Sequence, residues 1–151
     1  MIKSLILILL FFPFSFNANA KQIKIVSDKL EIMRTDNISI FSGNVHAIEN
    51  NLQIWSDKLI VTSSKDEETI EEIDALNNVR ILRDELSING NQAKYNPNNK
   101  SLIVIGEVKV EQDGNIILCD EIVVDLESSS SIMKSKSTKR VEALIIAKDK
   151  N

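Results

Sequence analysis

The stretch "SGNVHAIENNLQIWSDKLIV", residues 42–61, recurs without a gap as "IGEVKVEQDGNIILCDEIVV", residues 105–124. Gly43 falls on Gly106, Val45 on Val108, Ile54 on Ile117, Asp57 on Asp120 and Val61 on Val124. Each copy alternates apolar and polar residues on both sides of a turn cluster, "ENN" in one and "QDGN" in the other. That pattern predicts strand, turn, strand, with each strand half buried.

Working outward from Asp57, the same context returns four times. "QIKIVSDKLEI" centres on Asp28, "LQIWSDKLIV" on Asp57, "LSINGNQAKY" on Asn91 and "NIILCDEIVV" on Asp120. The spacings are 29, 34 and 29 residues, a degenerate repeat built from strands. Every copy carries a phase break. Apolar residues hold one parity before the small-residue/Asp pair and the opposite parity after it. A strand cannot change parity without turning its apolar set to the other face, unless a bulge or corner intervenes. Each copy therefore reads as a strand that bends at the pair and continues. Stacked copies give two facing sheets around a shared apolar interior. The predicted fold is all-β, a long twisted jelly-roll-like stack of corner-bent antiparallel strands.

The rest of the chain fits this reading. "RDE" and "NPNN" mark further turns, and Pro97 falls in one of them. No segment has a convincing helical period. "KDEETIEEIDAL", residues 65–76, reads as a solvated acidic loop, with Ile70 and Ile73 marking a short helical turn or another strand. "SSSSIMKSKSTKR", residues 128–140, reads as a polar surface loop.

The first twenty residues stand apart. "MIKSLILILLFFPFSFNANA" has a basic start at Lys3, an apolar run from Leu5 to Phe16 and small residues at Ala18 and Ala20. It reads as a secretory signal peptide cleaved after Ala20. The alternative is an uncleaved anchor, but the run is short for a span of roughly 20 residues and is broken by Pro13. Residues 21–151 then form one domain. Lys3 leaves with the leader, so 17 basic residues face 22 acidic ones, a net of −5 that argues against nucleic acid as partner. Cys119 is the only cysteine, which excludes an intramolecular disulfide and reads as a small half-buried hydrophobe. One histidine, His46, and one cysteine in different repeats build no catalytic or metal motif, so neither an enzyme nor a cofactor is expected. His46 reads as an exposed strand residue.

Several phrases carry a family resemblance: "QIKIVSDKLEI", "FSGNVHAIENNLQIWSDKLIV", "GNQAKYNPNNKSLIVIGEVKVEQDGNIILCDEIVVDLE" and "STKRVEALI". In this order they resemble the LptA (OstA-like) family of periplasmic lipopolysaccharide-transport bridge proteins, over most of the chain after the leader. The register of residues 62–80 does not follow from the resemblance. It implies a twisted, open β-jelly roll in the periplasm, with lipid A acyl chains inside and end-to-end joining of members. It also implies an inner-membrane LptC-type partner at the N-terminal edge and an outer-membrane LptD-type partner at the C-terminal edge. On it, the lipid-lining residues are Ile23, Ile25, Leu30, Ile32, Phe41, Val45, Leu52, Ile54, Leu59, Val61, Ile88, Tyr95, Val104, Val108, Val110, Ile117, Ile122 and Val124. The pattern alone favours an ordinary closed core made of the same residues. The edge strands would be Gln22, Ile23, Lys24, Ile25 and Val26 at one end, and residues 141–147, including Val141, Leu144 and Ile146, at the other. Two other readings stay open: a membrane-anchored LptC-type sister, and a structural β-solenoid without lipid.

Overall fold

The computed structural model describes residues 22–66, 68–136 and 138–147. The leader lies outside the described residues. Ten strands form one antiparallel sheet. The six long ones are β3 (Ile38–Glu49), β4 (Leu52–Ser63), β5 (Ile70–Arg83), β6 (Leu86–Asn96), β7 (Ser101–Gln112) and β8 (Asn115–Asp125), paired in chain order. Short strands finish the edges: β1 (Lys24–Val26) and β2 (Lys29–Met33) both pair with β3, while β9 (Ser130–Lys134) and β10 (Glu142–Leu144) both pair with β8. Among the described residues the only helical element is a 3-10 turn, Arg34–Asp36.

Each long strand bends in its middle. The pairing register breaks between Ser42 and Val45, between Trp55 and Lys58, between Leu76 and Val79, between Asn89 and Gln92, and between Ile105 and Val108. These breaks line up into one corner that folds the sheet into two arms. The first arm holds β1, the second half of β3, the first half of β4 and so on to β10. The second arm holds β2, the other halves of the long strands, and β9.

The corner has a repeated chemistry. On β3, β5 and β7 two successive residues adopt positive φ: Gly43 and Asn44, Asn77 and Asn78, Gly106 and Glu107. Each pair lies against the repeat's Asp or Asn, Asp57 on β4, Asn91 on β6 or Asp28 in the bend between β1 and β2. Asn44 Nδ2 donates to Asp28 Oδ2 at 2.8 Å, and Asn78 Nδ2 to Asp57 Oδ2 at 2.7 Å. A Cβ on Gly43 would lie 2.4 Å from Asp28 Oδ2, and one on Gly106 would lie 2.7 Å from Asn91 Nδ2. Positive φ and this closeness together require glycine there. The Ser56–Asp57 corner expected from the phase break is thus present. Ser56 Oγ donates to the Lys58 carbonyl at 2.9 Å and Ser27 Oγ to the Lys29 carbonyl at 3.0 Å, the same local bond in two repeats.

Four expectations need correction. Residues 70–76 are the first half of β5, with Ile73 and Ala75 buried, so the strand alternative for Ile70 and Ile73 holds and the solvated-loop reading fails from Ile70 onward. The serine-rich stretch contains β9, which pairs with β8 from Ser130 opposite Asp125 to Lys134 opposite Glu121 and turns Met133 inward beside Ile122. The first strand begins at Lys24 and the last spans only Glu142–Leu144, shorter than the expected 22–26 and 141–147. His46 is half buried, its ring stacked on Trp55 at 4.5 Å between centroids.

Candidate functional site

All eighteen expected lining residues lie on the inner faces of the arms. In the first arm, Ile25, Ala47, Ile54, Ile81, Ile88, Val110 and Ile117 form one cross-strand row. In the second, Leu30, Phe41, Leu59, Ala75, Ala93, Val104, Ile122 and Met133 form another. Ile32 shares its row with Val61, Ile73, Tyr95, Leu102 and Val124. Val108 pairs with Cys119 beside the corner, and Ile23 and Leu52 face one small gap near Glu49. The sequence reading omitted Ile73, Ala75, Val79, Ile81 and Leu102, which are equally buried. Parity would have found Ile81 and Leu102, whereas the segment around Ile73 had no secure register.

The interior is packed in the middle and opens at its ends. Leu59, Ile88 and Val104 have no exposed surface. Leu30 and Ile32, on the same inner face, are 49% and 62% exposed. The reason is stagger. The arms share a corner, but strand twist displaces them along the stack as they leave it. At the far edge, Glu49 at the end of β3 meets Tyr95 of β6, and Arg83 of β5 meets Leu126, just after β8. Each contact joins strands three apart. With strands about 4.8 Å apart the offset is roughly 14 Å. The second arm therefore overhangs at the N-terminal end, baring Leu30 and Ile32. The first arm overhangs at the C-terminal end, and beneath it lies a cavity of about 490 Å³ lined by the apolar Leu86, Val110, Ile117, Ile122, Val124 and Met133 and by the polar Arg83, Asp84, Glu85, Gln112, Asn115, Ser129 and Ser131.

The edge of the sandwich opposite the corner is a seam, and two polar contacts close it. Tyr95 Oη donates to Glu49 Oε2 at 2.5 Å, both residues being buried. Burial, reinforced by the neighbouring Glu49 carboxylate, pushes the Tyr95 phenol well above its ordinary value. Arg83 Nη1 donates to the Leu126 carbonyl at 2.7 Å. At the level of Glu49 and Tyr95 the free space shrinks to about 10 Å³, the room of a single water. Glu49 was hidden in a turn cluster, yet it follows Val45 and Ala47 on the inner parity. An acid on an apolar parity was the available signal.

A family model described as "LptA/(LptD N-terminal domain) LPS transport protein" matches residues 24–130, which run from β1 to the start of β9. The chain belongs to this family. Among solved structures it is similar to LptH of Pseudomonas aeruginosa, described as the LptA-homologous periplasmic component of the conserved lipopolysaccharide transport device. The TM-score is 0.76 at 13% identity, covering 84% of this chain and 96% of that one, a likeness of fold. No curated protein matches significantly. The twisted jelly-roll-like stack anticipated from the spacing, open as the resemblance implied, is the family's fold, and the family's role is lipopolysaccharide transport.

The outer face is differently built. Trp55 lies between the His46 ring and the Arg80 guanidinium, whose Cζ is 5.1 Å from the ring centroid. Lys94 pairs with Glu72 at 2.8 Å and Asp74 at 3.5 Å. Of the basic residues after β8, Lys134 pairs with Glu121 and Lys139 with Asp120. Among the expected edge residues, Lys24, Ile25 and Val26 form β1 and Leu144 lies in β10. Gln22 and Ile23 precede β1, and Val141 precedes β10. Ile146 follows β10, its N–H donating to Asn115 Oδ1 at 2.9 Å.

Proposed function

We propose that this chain is a periplasmic lipopolysaccharide carrier that holds acyl chains on its inner face and bridges the two membranes. The observation that carries the reading is an apolar inner face bared at the N-terminal end, at Leu30 and Ile32, with a cavity beside the same face at the other end. Exposing one acyl chain of about twelve carbons to water costs on the order of 9 kcal/mol, at roughly 0.8 kcal/mol per CH₂. A carrier must cover that surface continuously, and stacked strands with apolar residues at every second position do so. A cavity of ~150 Å³ holds benzene. By proportion, the space below the first arm's overhang, about 490 Å³, takes roughly twenty carbons, more than one such chain. The lining residues named above are the proposed contacts, foremost Val110, Ile117, Ile122 and Val124.

Docking is proposed at the strand edges, by strand addition. β1 and β2 would receive the inner-membrane LptC-type partner or another copy, and β9 and β10 the outer-membrane LptD-type partner. Each end thus offers two short edges, one per arm. Export through cleavage after Ala20 belongs to the same reading.

The test is a photocrosslinking amino acid at Ile117 and, separately, at outward-facing Lys109. Lipopolysaccharide should be captured at Ile117 and not at Lys109. Capture at Lys109 alone would place the lipid outside and refute the reading.

A further inference from the structure

Arg83 is out of place on β5. After the corner the inner parity of that strand runs Val79, Ile81, Arg83, and the neighbours of Arg83 across the strands are Leu52 and Leu86. A cation on an apolar parity gives up part of its water and needs acceptors in return. The guanidinium finds one across the seam, where Nη1 donates to the Leu126 carbonyl at 2.7 Å. An arginine carries five N–H donors. Among the described residues Arg83 has no ion pair, and the acids beside it in sequence are engaged elsewhere. Asp84 accepts from Asn51 Nδ2 at 2.9 and 3.0 Å, and Glu85 interacts with Asp113. Arg83 also lines the cavity of about 490 Å³ whose apolar wall includes Val110, Ile117 and Ile122.

Charge narrows what this cavity can hold. Arg83 is the one cation among its lining residues, and Asp84 and Glu85 line it too. Negative charge is already crowded there: Asp113 holds the Glu85 carboxyl above its ordinary value. A phosphate or carboxylate entering the cavity meets one cation and two acids. A neutral carbonyl oxygen accepts from Arg83 without that repulsion, and a bond from a charged donor is stronger than one between neutral groups. The planar guanidinium fork can hold the Leu126 carbonyl and a second acceptor together, in fixed geometry. Size agrees. At the proportion set by benzene, a chain of twelve carbons fills roughly 300 Å³ and leaves room for its linking group. Gln112, Asn115, Ser129 and Ser131 line the same space and can serve further oxygens.

We propose that Arg83 holds the ester or amide carbonyl that joins an acyl chain to its sugar, and so sets how deep the chain sits in the C-terminal cavity. The inference rests on the carrier reading above. The chain lies against Val110, Ile117 and Ile122, its linkage oxygen accepts from the guanidinium, and the acidic turn of Asp84 and Glu85 keeps anionic parts of the head group outside. Arg83 thereby selects acylated sugars over free fatty acids and alkyl phosphates of the same chain length.

Three probes with the same twelve-carbon chain test this, each titrated calorimetrically into the purified protein below its micelle concentration. Lauroyl glucose has an ester at the linkage, dodecyl glucoside has an ether and no carbonyl, and dodecyl phosphate is an anion. The wild type should bind the ester about tenfold more tightly than the ether, as a charge-assisted bond allows. It should bind the phosphate no more tightly than the ether. Arg83→Met should lower affinity for the ester to that of the ether and leave the ether within about twofold. Arg83→Lys, which keeps a charged donor, should retain part of the preference. If Arg83→Met weakens both sugars equally, Arg83 serves only to brace the seam and the proposal is overturned. Should that variant not fold, the wild type decides alone: equal affinity for ester and ether, or tightest binding of the phosphate, overturns the assignment and leaves the carrier reading standing. Binding of none of the three probes overturns the carrier reading itself.

Discussion

Gly90 lies on β6 in the row beside the corner, opposite Val79. A Cβ built there would stand 2.6 Å from Val104 Cγ1, on the other arm, and 3.5 Å from the carbonyl oxygens of Ile105 and Gly106. Carbon atoms pack at about 3.5–4.0 Å, so the new methyl is roughly an ångström too close. Val104 has no free direction: it is 0% exposed, branched at Cβ, and flanked across the strands by Ala93 and Ile122. Gly90→Ala should therefore cost about 1–3 kcal/mol through overpacking. Val104→Ala removes two buried methyls, each worth about 0.8 kcal/mol in transfer, and leaves a cavity, for about 2–3 kcal/mol in all. In the double variant the methyl at position 90 enters the space left by Cγ1. The clash disappears and part of the hole is filled. The two costs should then fall short of their sum by about 2 kcal/mol, well beyond the roughly 0.5 kcal/mol expected for independent sites. Urea unfolding at 25 °C, followed by the fluorescence of Trp55 and by circular dichroism, measures all four corners of the cycle. A neutral Gly90→Ala, or additive costs, would show that the arms do not interlock at the corner as described.

Two further outcomes follow from the corner and the seam. Asn78 holds φ 49° and donates to Asp57 at 2.7 Å, so Asn78→Ala loses a bond worth about 0.5–1.5 kcal/mol and adds a left-handed backbone cost of roughly 1–2 kcal/mol, whereas Asn78→Gly loses only the bond; equal melting temperatures for the two variants would contradict this. The Tyr95 phenol has a folded-state pKa raised above its unfolded value near 10, so its contribution is fully present below pH ~10 and is lost as the pH rises further. Between pH 9 and 12 the wild type should lose melting temperature more steeply than Tyr95→Phe, and parallel profiles would refute the assignment.

The residues differ in how openly they announced these features. The period-two pattern and the recurring pair of a small residue and Asp or Asn made the strands and half of the corner readable, because a small side chain and a short polar acceptor recur where the arms meet. The other half of the corner was not readable. Gly43–Asn44, Asn77–Asn78 and Gly106–Glu107 share a positive-φ backbone and no common residue pattern. β9 was masked by serines that carry no apolar alternation of their own. The stagger of the arms leaves no trace in any strand's period, since it arises from twist accumulated between strands. Without it, Leu30 and Val104 look alike in the sequence. The structure bares one and seals the other.

On the proposed docking by strand addition, that stagger would also set how copies could join end to end. The ends are cut like a carpenter's lap joint, with one arm projecting at each end and on opposite sides. β9 runs antiparallel to β8 and β2 antiparallel to β3, so setting β9 of one molecule beside β2 of the next preserves the alternation, as does β10 beside β1. In such a joint the first arm's overhang would be roofed by the second arm's overhang of the neighbour. A partner presenting a single flush edge could satisfy one arm's hydrogen bonds and would leave the other's apolar overhang wet. On the proposed docking by strand addition, the shape of the ends would favour neighbours cut to the same step.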